Sequence, residues 1–289
     1  MKSFHISRKN LKTHGENLLF VLPALLIFGF VVVVPFIQGI PYSFTNWKSV
    51  ISDNYDFVGL NNYITLITNK YFQEAFLHTF HFTIIYLVGA NVLGLMLALL
   101  LNRSTWYTNL ARTLVFVPFT VALTSGATVW SYVYTDVISP LFDVISPLGV
   151  SKTVIPAMAA IAIWRDMGYC MMIYIAALQS IPGDYYDAAK VDGAGWWQGT
   201  KRITFPLLVP AIISNVTLLV AWGLKCFDYP MAVARNMDAA QTAAMYVYDN
   251  IFGFNKAGLG QAAAIIITVV LMILTYVITG VCNKLEVEA

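Results

Sequence analysis

Charge is what this chain has least of. Its 17 basic and 15 acidic residues make up 11% of 289 positions, where a soluble domain carries roughly 25%. Hydrophobic residues reach 58%, with a mean hydropathy of +0.69. So little charge cannot clothe a water-soluble body of this size, which excludes a cytosolic enzyme. The abundance of apolar side chains excludes disorder as well. A net charge of +2, with no basic run interleaved with aromatics, speaks against a nucleic-acid partner. Cysteine is scarce and odd in number. Cys170, Cys226 and Cys282 each sit in or beside an apolar stretch, so they read as small hydrophobes and not as a disulfide framework. There is no Gly-x-x-x-x-Gly-Lys-Ser/Thr loop, and the chain supplies no nucleotide chemistry. No His-rich or Ser/His/Asp set presents itself, so no residue is assigned as catalytic or metal-ligating.

What is present is long apolar runs. A membrane crossing needs about 20 such residues for a hydrocarbon core of about 30 Å. Six stretches qualify: 18–41, 76–101, 113–134, 154–178, 206–227 and 261–282. Backbone amides in lipid must bond within their own segment, so the fold is expected to be all-α, a polytopic bundle of six transmembrane helices. The first stretch follows Lys2, Arg8, Lys9 and Lys12. It is too long for the apolar core of a secretory signal and shows no cleavage site, so it is expected to be retained. No linker or repeat divides the chain, and 1–289 reads as one membrane domain. Ala90, Gly94 and Ala98 share a helix face on which another helix could lie. Pro23, Pro35, Pro118 and Pro156 are candidate kinks.

Basic residues orient the chain. With the N-terminus inside, the inner segments hold Lys2, Arg8, Lys9, Lys12, Arg103, Arg112, Lys190, Lys201, Arg202 and Lys284. The outer loops hold only Lys48, Lys70, Lys152, Arg235 and Lys256. Both termini are therefore expected on the cytoplasmic side.

The inner loop 179–205 has the chemistry of a short amphipathic helix. Pro182 and Gly183 break the preceding span. Asp184 is a candidate N-cap, with Asp187 three residues on in a capping-box-like position. Ala188 and Ala189 favour helix, and Gly193 can end it in a left-handed conformation. About eight residues, or about 12 Å, are expected. Such a helix either docks in a groove of another protein or merely connects two spans.

Asp187-Ala188-Ala189, three residues, Gly193, nine residues, then Ile203 and Pro206 resemble the EAA loop of ABC-importer permeases, with Asp in place of Glu at 187. Asp192-Gly193-Ala194 and the segment Phe57-Val58-Gly59-Leu60-Asn61-Asn62-Tyr63 resemble the carbohydrate-uptake branch, which serves maltose, multiple sugars and glycerol phosphate. The resemblance implies a multi-pass subunit of the bacterial cytoplasmic membrane. It implies a second homologous permease, an ABC ATPase dimer at the cytoplasmic face, an external solute-binding protein and a sugar substrate. ATP and Mg would sit on the ATPase, this chain binding no cofactor. The loop would couple the two proteins through Asp184, Asp187, Ala188, Ala189, Asp192, Gly193, Ala194, Ile203 and Pro206.

Charges inside a span mark the candidate substrate pathway. Arg165 lies near the middle of the fourth stretch, where insertion costs roughly 2.5 to 3.5 kcal/mol. Arg165 and Asp166 are about 100° apart on a helix and are not expected to pair. With Trp164 and Tyr169 they offer rings for sugar faces and polar groups for hydroxyls. By position, the resemblance adds Leu219, Gly223 and Cys226, with Trp222, Lys225, Phe227 and Asp228 as neighbours of suitable chemistry. Arg165 with Lys225 leaves an anionic sugar, such as a uronate, in play. Blander roles stay open. Arg165 could bond a partner subunit, Lys225 could reach the outer interface beside Asp228, and Trp130 and Trp222 could simply pack. His78 and His81 share a face but lack a third ligand. The competing function is an ion-gradient-driven secondary transporter, which would call for paired half-chains and intramembrane acids. Only Asp166 qualifies as such an acid.

Overall fold

The computed structural model describes residues 8–49, 51–52 and 54–282. Lys2 and Lys284, used above for orientation, lie outside the described residues. The described chain is helical, apart from a single isolated bridge pairing Thr45 with Phe57. The long helices are α1 (Asn17–Tyr42, the apolar part of a helix that begins at Arg8), α3 (Lys70–Leu100), α6 (Val154–Ser180), α8 (Trp196–Leu224) and α11 (Ala257–Cys282). Short helices fill the connections: α2 (Asn61–Thr68), α7 (Gly183–Val191), α9 (Asp228–Val233) and α10 (Ala243–Tyr248).

The stretch expected as one span at 113–134 is instead two helices, α4 (Trp106–Thr120) and α5 (Leu123–Phe142), meeting at 99°. The break falls where Val121 and Ala122 turn extended, three residues after Pro118. The proline ring removes the amide that the carbonyl of Leu114 would otherwise accept. Taken together, α4 and α5 are long and apolar enough to count as a sixth crossing, bent at its middle, beside the five long helices.

Other prolines are absorbed without breaking their helices. A single wide π-type turn ends two residues before Pro35, another before Pro140 and another before Pro206. In each, the amide just before the proline reaches back one residue further than in an α-helix: Val34 to Gly29, Ser139 to Tyr134, and Phe205 to Thr200. The wider turn makes room for the ring and for the missing donor.

α6 is the centre of the bundle, with half of its apolar window buried. It lies along the face of α3 that carries Ala90, Gly94 and Ala98, all three buried. A Cβ added at Gly94 would come within 2.6 Å of the Cβ of Cys170 and 3.0 Å of the carbonyl of Met167. The absence of a side chain there sets the spacing of the two helices. Tyr86, Phe82, Met158, Ile161, Met171 and Tyr174 fill the seam around it, and the hydroxyl of Tyr174 donates to Asn91 at 2.6 Å. By contrast, none of the apolar window of α1 is buried in the chain alone, and Phe20 is 90% exposed. A surface of that kind is made for lipid or for another subunit.

Replacing Gly94 with Val is expected to force α3 and α6 apart and destabilise the chain by about 1–3 kcal/mol, the usual cost of overpacking. A thermal unfolding scan of the detergent-purified protein checks this; an unchanged midpoint would show that the seam is looser than described.

Candidate functional sites

Two regions carry chemistry, one at each side of the bundle. The first is α7. The residue at its N-terminal boundary is Pro182, and no side chain caps it. Asp184 therefore does not cap the helix as expected; it lies in the first turn, where its charge favours the helix dipole. Asp187 does not complete a capping box either. Its carboxylate pairs with Lys190 at 2.9 Å, and both side chains are exposed. The C-terminus is built as expected. Gly193 has φ +77°, its amide donates to the carbonyl of Lys190 at 3.0 Å, and the amide of Ala194 donates to that of Ala189 at 2.9 Å. These two bonds form a Schellman motif. No atom would meet a Cβ at Gly193, so backbone conformation, and not space, calls for glycine there.

Ala188, Asp192 and Gly193 face outward, while Ala189 and Ala194 are half-buried. The expected loop is shorter than 179–205. α8 already begins at Trp196, so Ile203 and Pro206 belong to that helix, both half-buried. Periodicity missed this segment because Trp196 to Thr204 mixes exposed aromatics, glycine and basic residues. One direct bond ties the two helices: the hydroxyls of Tyr186 and Thr204 lie 3.0 Å apart. Behind α7 is a cavity of about 390 Å³, walled by Leu99, Leu178, Tyr186 and Thr204 among others. The helix thus stands off the bundle.

The second region is a cavity of about 380 Å³ between α3, the α4–α5 break, α6 and the segment joining α8 to α9. Arg165 and Asp166 both line it, and they do pair: Nη1 of Arg165 is 2.6 Å from Oδ1 of Asp166. Angular separation on a helix limits short side chains, whereas the long arginine stem curls back to its neighbour. The other carboxylate oxygen accepts the hydroxyl of Tyr86 on α3 at 2.6 Å. The guanidinium also lies over the ring of Phe119, 5.1 Å from its centroid. Nε of Arg165 and the hydroxyl of Tyr229 are buried with no hydrogen-bond partner among the described residues. Burial pushes the pKa of the Tyr229 phenol, which lies on α9 outside the long helices, well above its ordinary value, and nearby Asp166 adds to this. That hydroxyl stays protonated.

The remaining sequence candidates divide. Trp222, Cys226, Phe227 and Asp228 line the cavity, as does Lys225. Tyr169 stands behind the wall, with Phe119 stacked on it at 4.8 Å and Trp222 tilted against it at 5.5 Å. Trp164 packs edge-on against Trp130 at 5.6 Å. Gly223 is buried against Thr83 of α3. Lys225 and Asp228 are exposed at the rim and form no ion pair with each other among the described residues. His78 bonds the carbonyl of Gln241 at 3.1 Å through Nδ1, which ties α3 to the segment before α10. Sequence reasoning missed Phe82, Tyr86, Phe119, Leu123 and Tyr229. The available signals were a tyrosine hydroxyl inside a span and the aromatic next to Pro118.

An aromatic-walled cavity around a buried ion pair, inside a bundle whose outer surface is apolar, fits a membrane transport protein. Residues 90–285 match the family described as binding-protein-dependent transport system inner membrane component, and the chain belongs to that family. The chain is similar to the probable starch degradation products transport system permease protein AmyD of Thermoanaerobacterium thermosulfurigenes, with 31% identity over 93% of this chain and 94% of that one. It is also similar to the multiple sugar-binding transport system permease protein MsmF of Streptococcus mutans, with 31% identity over 88% of this chain and 90% of that one. In fold it resembles a chain of a bacterial ABC transporter that imports the acidic polysaccharide alginate. There the TM-score is 0.81 and the identity 21%, over 96% of this chain and 98% of that one.

Tyr86→Phe removes one of the bonds that hold the buried carboxylate of Asp166. A hydrogen bond to a charged group contributes about 1.5–3 kcal/mol, so a fall of that size in unfolding free energy is expected, read in a detergent thermal or denaturant titration. A neutral outcome would mean that the Asp166 carboxylate has another partner.

Proposed function

We propose that this chain is the permease subunit of an ABC importer that moves a sugar or oligosaccharide into the cell. Its partners are a second homologous permease, an ATPase dimer that holds ATP and Mg, and an external solute-binding protein. The observation that carries the reading is α7: a short helix with a built terminus, standing clear of the bundle, in a chain of the binding-protein-dependent family. A helix so presented suits a cleft in the ATPase. Its outward residues Asp187, Ala188 and Asp192 make the contact, Asp184 and Gly193 shape its two ends, and Ala189, Ala194, Ile203 and Pro206 set it against α8. The excess of basic residues on the α7 side supports a cytoplasmic location for that side and for both termini.

Transport then follows alternating access. Closure of the ATPase dimer draws the two docking helices together and reorients the pathway, and hydrolysis resets it. The sugar assignment draws on the cavity and on the relatives. Rings at Phe119, Trp222 and Phe227 suit the apolar faces of a pyranose, and the polar groups of Arg165, Asp166 and Asp228 suit its hydroxyls. Relatives across 88–93% of this chain carry names that refer to starch degradation products and multiple sugars.

The test is reconstitution of the four components in proteoliposomes, with ATP hydrolysis and labelled-sugar uptake measured together. This chain alone is expected to show no ATPase activity. Gly193→Val forces a β-branched residue into a left-handed backbone at a cost of order 1–3 kcal/mol. It is expected to abolish ATPase co-purification and uptake while leaving membrane insertion intact. Normal uptake in that variant, or uptake that runs on an ion gradient without ATP, would overturn the reading. Trp222→Ala removes a wall of the cavity. It is expected to raise the half-saturating sugar concentration by about tenfold, the factor that about 1.4 kcal/mol represents. A saturation curve for uptake decides it.

A further inference from the structure

The charges lining the cavity cancel, and we propose that this cancellation makes the pathway selective for uncharged sugars, with Asp166 as the residue that sets the selectivity. The proposal rests on reading the cavity as the sugar pathway. Counted as cations alone, Arg165 and Lys225 leave an anionic sugar in play. The geometry removes that option. The guanidinium of Arg165 is held at 2.6 Å by Asp166, and the two side chains are only 19% and 4% exposed. Tyr86 occupies the second carboxylate oxygen at 2.6 Å. The pair is thus closed on itself. At the rim Lys225 stands three residues from Asp228, again one charge of each sign.

What the site still offers is directional and without net charge. Nε of Arg165 and the hydroxyl of Tyr229 are buried and unpartnered, two donors in search of acceptor oxygens. The hydroxyl or ring oxygens of a neutral pyranose supply them, and its apolar face lies on Phe119 and Trp222. A uronate would surrender the hydration of its carboxylate and find the one buried cation already held by Asp166; Lys225, at the water-exposed rim beside the opposite charge of Asp228, repays little of that desolvation. The alginate transporter shares the fold at 21% identity, and fold alone does not carry the charge of a substrate across that distance.

The experiment uses the complete importer in nanodiscs with the binding protein omitted, so that the preference of the binding protein does not enter. Maltotriose and trigalacturonate are the probes, and saturable binding is followed by ligand-observed NMR. The assembled wild type is expected to bind maltotriose at least about tenfold more tightly, a factor of ten being about 1.4 kcal/mol. Asp166→Asn leaves Arg165 uncompensated and is expected to narrow or reverse that ratio by about tenfold. Asp228→Asn, at the exposed rim, is expected to shift it the same way by a smaller, salt-sensitive factor. The double variant Arg165→Gln/Asp166→Asn restores zero net charge and with it the preference for maltotriose. Equal binding of the two probes by the wild type overturns the proposal. So does an unchanged ratio in assembled Asp166→Asn; where that variant does not assemble, an unchanged ratio in Asp228→Asn decides against it. Failure of the wild type to bind either probe overturns the pathway reading itself, and the proposal with it.

Discussion

The close approach of α3 and α6 underlies both the bundle and its cavity. Three small residues on α3, with Gly94 at the tightest point against Cys170, let the helices meet at backbone distance. In lipid, where apolar packing gains nothing over solvation by acyl chains, such contact surfaces and a few polar bonds hold helices together. The seam supplies both. Two turns from Gly94 toward the other end of α3, the hydroxyl of Tyr86 reaches Asp166 across it. The carboxylate of Asp166, a costly charge in a membrane, is thus paired with Arg165 and bonded to α3 in one arrangement. A wider seam would leave a buried carboxylate short of a donor.

Room for the cavity comes from the broken crossing. Phe119 and Leu123 sit on either side of the extended residues Val121 and Ala122, and both line the cavity. The bend sends the chain off at 99° beyond them, which opens the space that the two residues face. Pro35, Pro140 and Pro206 show how a chain avoids such a break: one wide turn upstream accommodates the ring, and the helix continues. The same residue type yields a break at one position and a local bulge at three others.

Much of the fold was legible in the sequence. The apolar runs are long and nearly free of charge, and one-dimensional hydropathy is the dominant physical constraint in a bilayer. The C-terminus of α7 was legible too, because a glycine followed by alanine at the end of a short helix has few alternatives. The N-terminus was not. Asp184 and Asp187 fit a capping pattern, yet Pro182 starts the helix two residues earlier than a cap at Asp184 would. The site was half legible. Arg165 and Asp166 stood out because charge in a span is rare, but their pairing depends on how a flexible stem folds, which spacing does not encode. Phe119, Tyr86 and Tyr229 come from three separate elements, and only tertiary packing brings them to one wall. Trp164 and Tyr169 share the helix of Arg165 but turn to other neighbours.

The hydroxyl contact between Tyr186 and Thr204 joins the protruding helix to the wide turn near the start of α8. From Trp196, α8 continues for 29 residues, about 43 Å at 1.5 Å per residue, and its far end carries Trp222. The contact sits at the wide turn, and from Thr204 to Trp222 one unbroken stretch of helix runs for about 27 Å, which links the protruding helix to the cavity wall. With a gap behind the protruding helix in place of packed side chains, that end of the link is the freer one, while the buried face of Leu208, Ala211, Leu219 and Gly223 holds the far end in the bundle.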